Sequence, residues 1–398
     1  MGFWDTVTQE WKYRLLMFVS PAVLSMLIMF INAPAPFMIE PQVVPLDITR
    51  YEPLEGVFAP NLALQAVIAV GQDVLRSPEA MFASPDGKVY TIDDRAILYQ
   101  IKSLRGSSEY AVEQVHAFGQ ANGRNLGGEF RSDGSLVLCN VPRGLFLFNL
   151  TTKKMTLLTD TVTVEEGKPP SRIFHANDLA VSADDQRVFF SDSVNYTLQG
   201  RVNPFHVSKM NAFEGVPRGR LLMYDFESNT TSELMSGLYF ANGVALSKDE
   251  DFVLVAECFA SRIHRLWLTG PKAGQVDIFA RLPGFTDNLN RSPDGLSFWV
   301  AVTAPDPALW PILREQTKLR KHLSKLPQRW SPGPSRHGLV VNLDARSGEP
   351  RYSLQDPHGY ISSITSAIEV DDKLYLGTIG LYFCGVLEDL RKVTRSVI

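Results

Sequence analysis

Six segments of this 398-residue chain repeat one pattern, and no other feature narrows its fold as far. Each opens on an apolar strand, turns through a polar hairpin of the SPDG kind and continues into a β-branched or aromatic strand. They are EAMFASPDGKVYTIDD from Glu79, GGEFRSDGSLVLCN from Gly127, NDLAVSADDQRVFFSDS from Asn177, NGVALSKDEDFVLVAE from Asn242, DNLNRSPDGLSFWVAV from Asp287 and ITSAIEVDDKLYLGT from Ile364. Short β-rich runs broken by Asp-Gly or Asp-Asp are hairpin signals. A further strand follows in each unit, as RAILYQIK, GLFLFNL, RLLMYDF, RIHRLWL, GLVVNL and LYFCGVL. Helical periodicity is nearly absent from these segments. Six such units of about four strands each predict an all-β, six-bladed β-propeller over residues 61–398, which removes sheet edges by closing on itself.

The first strand of a propeller blade lines the central channel, so the residue that opens it faces the axis. Read in order, the openers are Glu79, Gly127 or Gly128, Asn177, Asn242, Asp287 and a Ser/Thr-rich start near Ser362 to Thr365. Two carboxylates and two amides therefore converge, each from a separate blade, and none is a thiolate. Such an oxygen-donor set suits a hard cation, and calcium, which takes 6–8 oxygens, is the expected one. Singly, Asn242-Gly243, Asn177-Asp178 and Asp287-Asn288 also suit ordinary turns. Their common place in the repeat favours the metal reading.

Several stretches then resemble the strictosidine synthase-like family of six-bladed propellers. They are SPEAMFA, FHANDLAVS, RGRLLMYDFESNTTSELMSGLYFANGVALSKDEDFVLVAE and PGFTDNLNRSPDG, over about residues 70–390. That family is related to calcium-dependent lactonases, arylesterases and gluconolactonases. The resemblance implies an axial calcium ion whose ligands fall on Glu79, Asn177, Asn242 and Asp287. Two departures stand out. The glutamate that serves strictosidine synthases in the last blade falls near Thr365, so a Pictet–Spengler condensation is not expected. HAFGQANGRNLGG lacks the cysteine pair of the membrane-anchored relatives.

The activity expected is calcium-dependent hydrolysis of a small ester or lactone. His175, two residues before Asn177, is the candidate general base, and Asp178 and Asn288 are placed to orient the ligands. The alternative is a non-enzymatic propeller whose calcium is structural and whose face binds a ligand or partner. The chain lacks a GxSxG elbow, an HExxH helix and a phosphate loop, which argues against serine-triad, zinc-protease and nucleotide chemistry.

Ahead of the repeats, Leu15 to Ala33 is a run of 19 residues without charge, close to the ~20 needed to span a bilayer as a helix. Lys12 and Arg14 precede it, whereas Glu40 and Asp47 follow before the first basic residue, Arg50. Residues 1–14 are then expected in the cytosol, 15–33 as a signal anchor and 34–60 as a proline-rich spacer. The propeller would face the lumen or exterior, as in a type II protein of the endoplasmic reticulum, secretory pathway or plasma membrane. Sequons at Asn149, Asn195 and Asn229 agree with that side. A net charge of -4 and pI near 6.0 give no basic field for nucleic acid. Cys139, Cys258 and Cys384, distant and odd in number, read as buried small hydrophobes. The repeat breaks at 303–336, where an amphipathic helix with Lys318, Arg320, Lys321 and Lys325 is expected, as a lid or as a basic contact with anionic headgroups.

Overall fold

The computed structural model describes residue 25 and residues 39–104, 108–119, 123–163, 169–196, 204–326 and 336–397. Six four-stranded antiparallel sheets follow one another along the chain. Blade one comprises Ala80–Ala83, Val89–Ile92, Ile97–Ser103 and Tyr110–Ala117, and blade two Arg124–Phe130, Leu136–Val141, Gly144–Phe148 and Met155–Thr159. Blade three comprises Ala176–Val181, Arg187–Asp192, Gly219–Asp225 and Thr230–Leu238. Blade four comprises Ala241–Leu246, Phe252–Glu257, Arg262–Trp267 and Val276–Arg281. Blade five comprises Gly284–Arg291, Ser297–Pro305, Gly338–Asp344 and Pro350–Asp356. First strands of successive blades touch all the way round, and blade six, starting at Ile364–Val370, touches blade one. The six-bladed propeller read from the repeat is therefore the fold.

The hairpins after the first strands show why the repeated turn folds as it does. Ser84 Oγ donates to Asp86 Oδ1 at 2.5 Å and Ser292 Oγ to Asp294 Oδ1 at 2.6 Å. Gly87, Gly134 and Gly295 close these turns at φ 75–79°, and Asp185, Glu250 and Asp372 take the same left-handed place at φ 53–59°. Apolar side chains of facing blades then interleave. Phe82, Tyr90 and Leu98 of blade one meet Phe130, Leu136 and Phe146 of blade two, and comparable layers lie between every neighbouring pair.

Three expectations are corrected. The loosely alternating segment Asn61 to Leu75, which on sequence is expected to lead into the first blade, does not do so. Its strand Ile68–Val70 is the outermost strand of blade six, Ile68 pairing with Val386 and Val70 with Cys384. The part of the proline-rich stretch that is described, 39–60, is not a free spacer. Ile39, Val44 and Ile48 are buried with Val207, Met210 and Phe240, and Phe58 with residues of blades four and five, because burial of these apolar side chains outweighs the freedom of an extended spacer. The insert contains two short helices, α2 (Leu309–Leu313) and α3 (Thr317–Leu323), after a second strand that runs on to Pro305. A third helix, α1 (Pro204–Glu214), precedes them in the chain, inserted in blade three.

Arg320 is the sharpest of these corrections. It is fully buried, so it makes no contact with a headgroup; its guanidinium donates to the carbonyls of Phe213, Arg314 and Gln42. It thereby ties α1, α2 and the N-terminal strap into one cap, whose apolar side includes Val44, Met210 and Trp310. The expected span 15–33 lies outside the described residues apart from Ser25, and among the described residues no helix is long and apolar enough to cross a membrane.

Candidate metal and ligand site at the head of the channel

The first strands do not run straight. Their pairing with the second strands slips between Ala176 and Leu179, Ala241 and Val244, Thr286 and Leu289, and Asn125 and Gly128. A β-bulge inserts a residue and re-aims side chains. In blades three, four and five the bulge carries Asn177-Asp178, Asn242-Gly243 and Asp287-Asn288. Asn242-Gly243 is thus no hairpin turn. A Cβ on Gly243 would come within 2.5 Å of Asp287 O and Leu289 N, so glycine lets blades four and five approach. In blade two the matching residue is Leu126, one position before the glycines expected there.

Glu79, Asn177, Asn242, Asp287 and His175 line one cavity of about 270 Å³ at this end of the channel. Asp178 and Asn288 line a second cavity of about 250 Å³ further along the axis. All seven side chains are buried. Asn177 Nδ2 donates to Ser193 Oγ at 3.0 Å, and Ser193 Oγ to Ala241 O at 2.6 Å. Thr303 Oγ1 donates to Asp287 Oδ2 at 2.5 Å. The oxygens Asn242 Oδ1, Asp287 Oδ1 and Asn288 Oδ1 are buried with no hydrogen-bond partner, a costly state unless something else satisfies them.

A repeated device fixes the loops that deliver the amides. Asp192 Oδ1 accepts from the backbone N–H of Phe174 and His175, and Glu257 Oε1 from that of Tyr239. Each carboxylate ends the second strand of its blade and is paired to an arginine of the third, Arg220 or Arg262. The loops before Asn177 and Asn242 are therefore held from behind.

Electrostatics sharpen the picture. Burial, followed by the charge of Glu79, pushes the Asp287 carboxyl up to about 8, and burial raises Asp178 to about 7. Glu79 is also raised by burial, against the pull of Arg124, whose Nη2 lies 2.6 Å from Glu79 Oε2. Arg124 thus pairs with Glu79, whereas among the described residues no lysine or arginine forms an ion pair with Asp287 or Asp178. His175, 5.5 Å ring to ring from Phe240, is pushed down to about 3 by burial and then by Arg124. Its imidazole is neutral across the physiological range.

The remaining walls are apolar. Phe240, Phe259 and Phe285 form a chain of ring contacts at 5.1 and 5.2 Å, and Ser208, Lys209 and Ala212 of α1 close the opposite side. Arg124, Thr303, Ser193 and the α1 residues escaped the sequence reading because they lie outside the repeated openers. Only strand order, seen in the fold, brings them in. The sequon residues Asn149, Asn195 and Asn229 are all exposed, and the three cysteines are free and buried.

Glu129 lines the second cavity, where Val181 N donates to its Oε2 at 3.0 Å. Burial raises its carboxyl from 4.5 to about 7. The unfolded chain ionises first, so the stability this group supplies is complete below pH 4.5 and is lost as pH rises to about 7. Glu129→Gln should match the parent in acid and exceed it above pH 7, on the order of 2 kcal/mol after screening by channel solvent. Urea midpoints at the two pH values check this; equal midpoints in the alkaline range would show the carboxyl to be relaxed.

Fold and site together define a six-bladed β-propeller with an acidic, amide-bearing cavity on its axis. Family models described as strictosidine synthase and strictosidine synthase-like, N-terminal, match residues 177–271 and 56–93. Adipocyte plasma membrane-associated protein of Salmo salar is 31% identical over 379 residues, covering 90% of this chain and 86% of that protein. The chain belongs to this strictosidine synthase-like family of propellers. Among solved structures, a gluconolactonase of Xanthomonas campestris superposes with TM-score 0.55 at 13% identity, covering 81% of this chain and 88% of that one. Regucalcin of Agrobacterium tumefaciens, described as a calcium-binding protein, superposes with TM-score 0.51 at 14% identity, covering 80% and 92%. At these identities the likeness is one of fold.

Proposed function

We propose that the chain is a membrane-anchored hydrolase of small esters or lactones, in which Glu79, Asn177, Asn242 and Asp287 hold a calcium ion. The observation that carries this reading is the pair of partnerless buried oxygens, Asn242 Oδ1 and Asp287 Oδ1, in the cavity that Glu79 and Asn177 also line. The raised carboxyl of Asp287 points the same way, since it is a buried acid with no ion-pair partner among the described residues, while Arg124 is taken up by Glu79. Among the described residues no three His, Cys, Asp or Glu groups form a metal cluster, as expected of a set that is half amide. Calcium there would supply Lewis acidity toward an ester or lactone carbonyl.

The chain's own residues define the rest. Ser193 and Thr303 fix the ligands Asn177 and Asp287 by hydrogen bonds, which limits reorganisation. Phe240, Phe259 and Phe285 hold an apolar portion of the substrate and exclude water. His175 lines the cavity, yet a group at about 3 is a weak proton acceptor, and its role narrows to accepting a hydrogen bond. The anchor would be residues 15–33, in keeping with the name of the salmon relative, with Asn149, Asn195 and Asn229 as lumenal or exterior glycan acceptors.

Phenyl acetate and a δ-lactone are the test substrates. Hydrolysis by the full chain should require calcium and fall by about 100-fold or more, about 2.7 kcal/mol of barrier, in Asn242→Ala. Turnover that is unchanged by chelation would sink the calcium-dependent reading. The Arg124–Glu79 ion pair and the weak basicity of His175 favour a second reading, a ligand-binding propeller with structural calcium. It predicts a calcium-dependent melting temperature with no turnover on any ester or lactone.

A further inference from the structure

We propose that the face of the propeller carrying the channel cavity lies directly on the lipid bilayer, with the cap and neighbouring loops as an interfacial docking surface. The idea rests on reading 15–33 as a membrane span and goes beyond it by assigning orientation and contact residues.

The topology defines two unlike faces. Because each blade is antiparallel and its first strand starts at the cavity, the second-to-third-strand connections and the blade-to-blade crossovers share the cavity face. The first hairpins lie on the far face. Large apolar side chains stand exposed on the cavity side. Leu309 and Ile312 of α2 are 63% and 64% exposed, and Val43 and Leu46 of the strap 59% and 66%. Leu319 on α3 joins them, and the crossover and loop residues Tyr360 and Tyr382 flank them. Each strap or α2 residue sits beside a buried anchor, Val44 or Trp310, so the exposed groups are held rigidly outward.

The far face is the opposite in chemistry. Every first hairpin places an exposed carboxylate there: Asp86, Asp133, Asp184, Asp249, Asp294 and Asp371. Lys88, Arg131 and Arg187 pair with Asp86, Asp133 and Asp184, and Lys248, Arg291 and Lys373 stand in the other three hairpins, so this face is polar and close to charge-balanced. The cap instead carries Arg314, exposed Lys318, Lys321 and Lys325 against Glu315, and Lys321 pairs with Glu40 of the strap.

Chain length selects the lipid surface over a protein partner as the occupant. Only five residues lie between Ala33, the end of the apolar run, and Ile39, and the six Cα–Cα steps reach at most about 22 Å. A single inner strand of seven residues already rises about 23 Å, so a chain entering at the strap cannot bring the far face to the bilayer. Aromatic and aliphatic side chains at this depth, with lysines behind them, are what an interfacial surface requires. The cavity then opens toward the interface, and its apolar walls would take ligands that partition into lipid.

The native cysteines are buried, so introduced ones accept nitroxide labels selectively. The full chain would be reconstituted in phosphatidylcholine–phosphatidylserine vesicles, with single labels through Leu46→Cys, Leu309→Cys, Ile312→Cys and Tyr360→Cys. Leu104→Cys and Leu296→Cys serve on the far face, and Ser25→Cys in the span. The expected result is oxygen accessibility exceeding that to a water-soluble nickel chelate several-fold at 46, 309, 312 and 360, with the reverse at 104 and 296. Water-like values at 309 and 312 would overturn the docking surface, whatever the label at 25 reads. A water-like label at 25 would instead sink the span, a separate failure.

Discussion

Asp287→Asn is expected to weaken calcium binding by about 100-fold or more, because it removes one of two candidate carboxylate ligands while keeping shape. At free calcium 100-fold above Kd, the parent should gain about 2.7 kcal/mol over its calcium-free form. For a chain of this size that is a rise in Tm on the order of 3–4 °C, which the variant should lack. Calorimetric titration gives the affinity and a thermal melt with and without chelator gives the shift. Asn288→Ala, touching no candidate ligand position but leaving the neighbouring partnerless oxygen out, should cost only about 10-fold. A parent-like calcium isotherm for Asp287→Asn would remove the axial site as drawn.

Arg320→Met should open the cap while leaving the ring closed. The substitution keeps an unbranched stem but removes the donors to three part-buried carbonyls, those of Phe213, Arg314 and Gln42, each worth roughly 1 kcal/mol or more when water does not replace the donor. A local loss of about 3 kcal/mol or more is expected, enough for the strap and α1 to exchange hydrogen and admit protease well before the blades do. Gly215 reports the same packing from the other side. Its φ is +67°, and a Cβ there would lie 2.5 Å from Arg320 Nη1. Uniform exchange across cap and blades would mean that Arg320 supports the whole ring instead, and unaltered exchange would mean that solvent replaces it.

The blades were legible in the sequence because one local rule, a strand broken by a serine–aspartate turn, is written six times. The positions of Asn177, Asn242 and Asp287 were legible for the same reason. Their conformation was not, since Asn-Gly reads as a turn until the register slip with Phe252–Glu257 turns it into a bulge. Blade two was misplaced by one residue, at Leu126, because its glycines look like openers when strand pairing is unseen. The cap was illegible for a different reason. Arg320 sits in a basic, apparently solvated helix, and only the meeting of segments nearly 280 residues apart shows it to be a buried donor. The strap hid likewise among prolines, whose usual sense is extension.

The pairing of Ile68 with Val386 sets the order in which the protein can be completed. A ribosome adding about 5–20 residues per second needs roughly 15–60 s to travel between those partners. Throughout that interval blade six lacks its outer strand, and the first strand of blade one has no neighbour on that side. Blades one to five can form as they emerge, but their union waits until Val386 has left the ribosome. The nascent chain therefore exposes two complementary open edges for much of its synthesis, so pairing between neighbouring nascent copies, and not loss of any one blade, is the misfolding route this architecture invites.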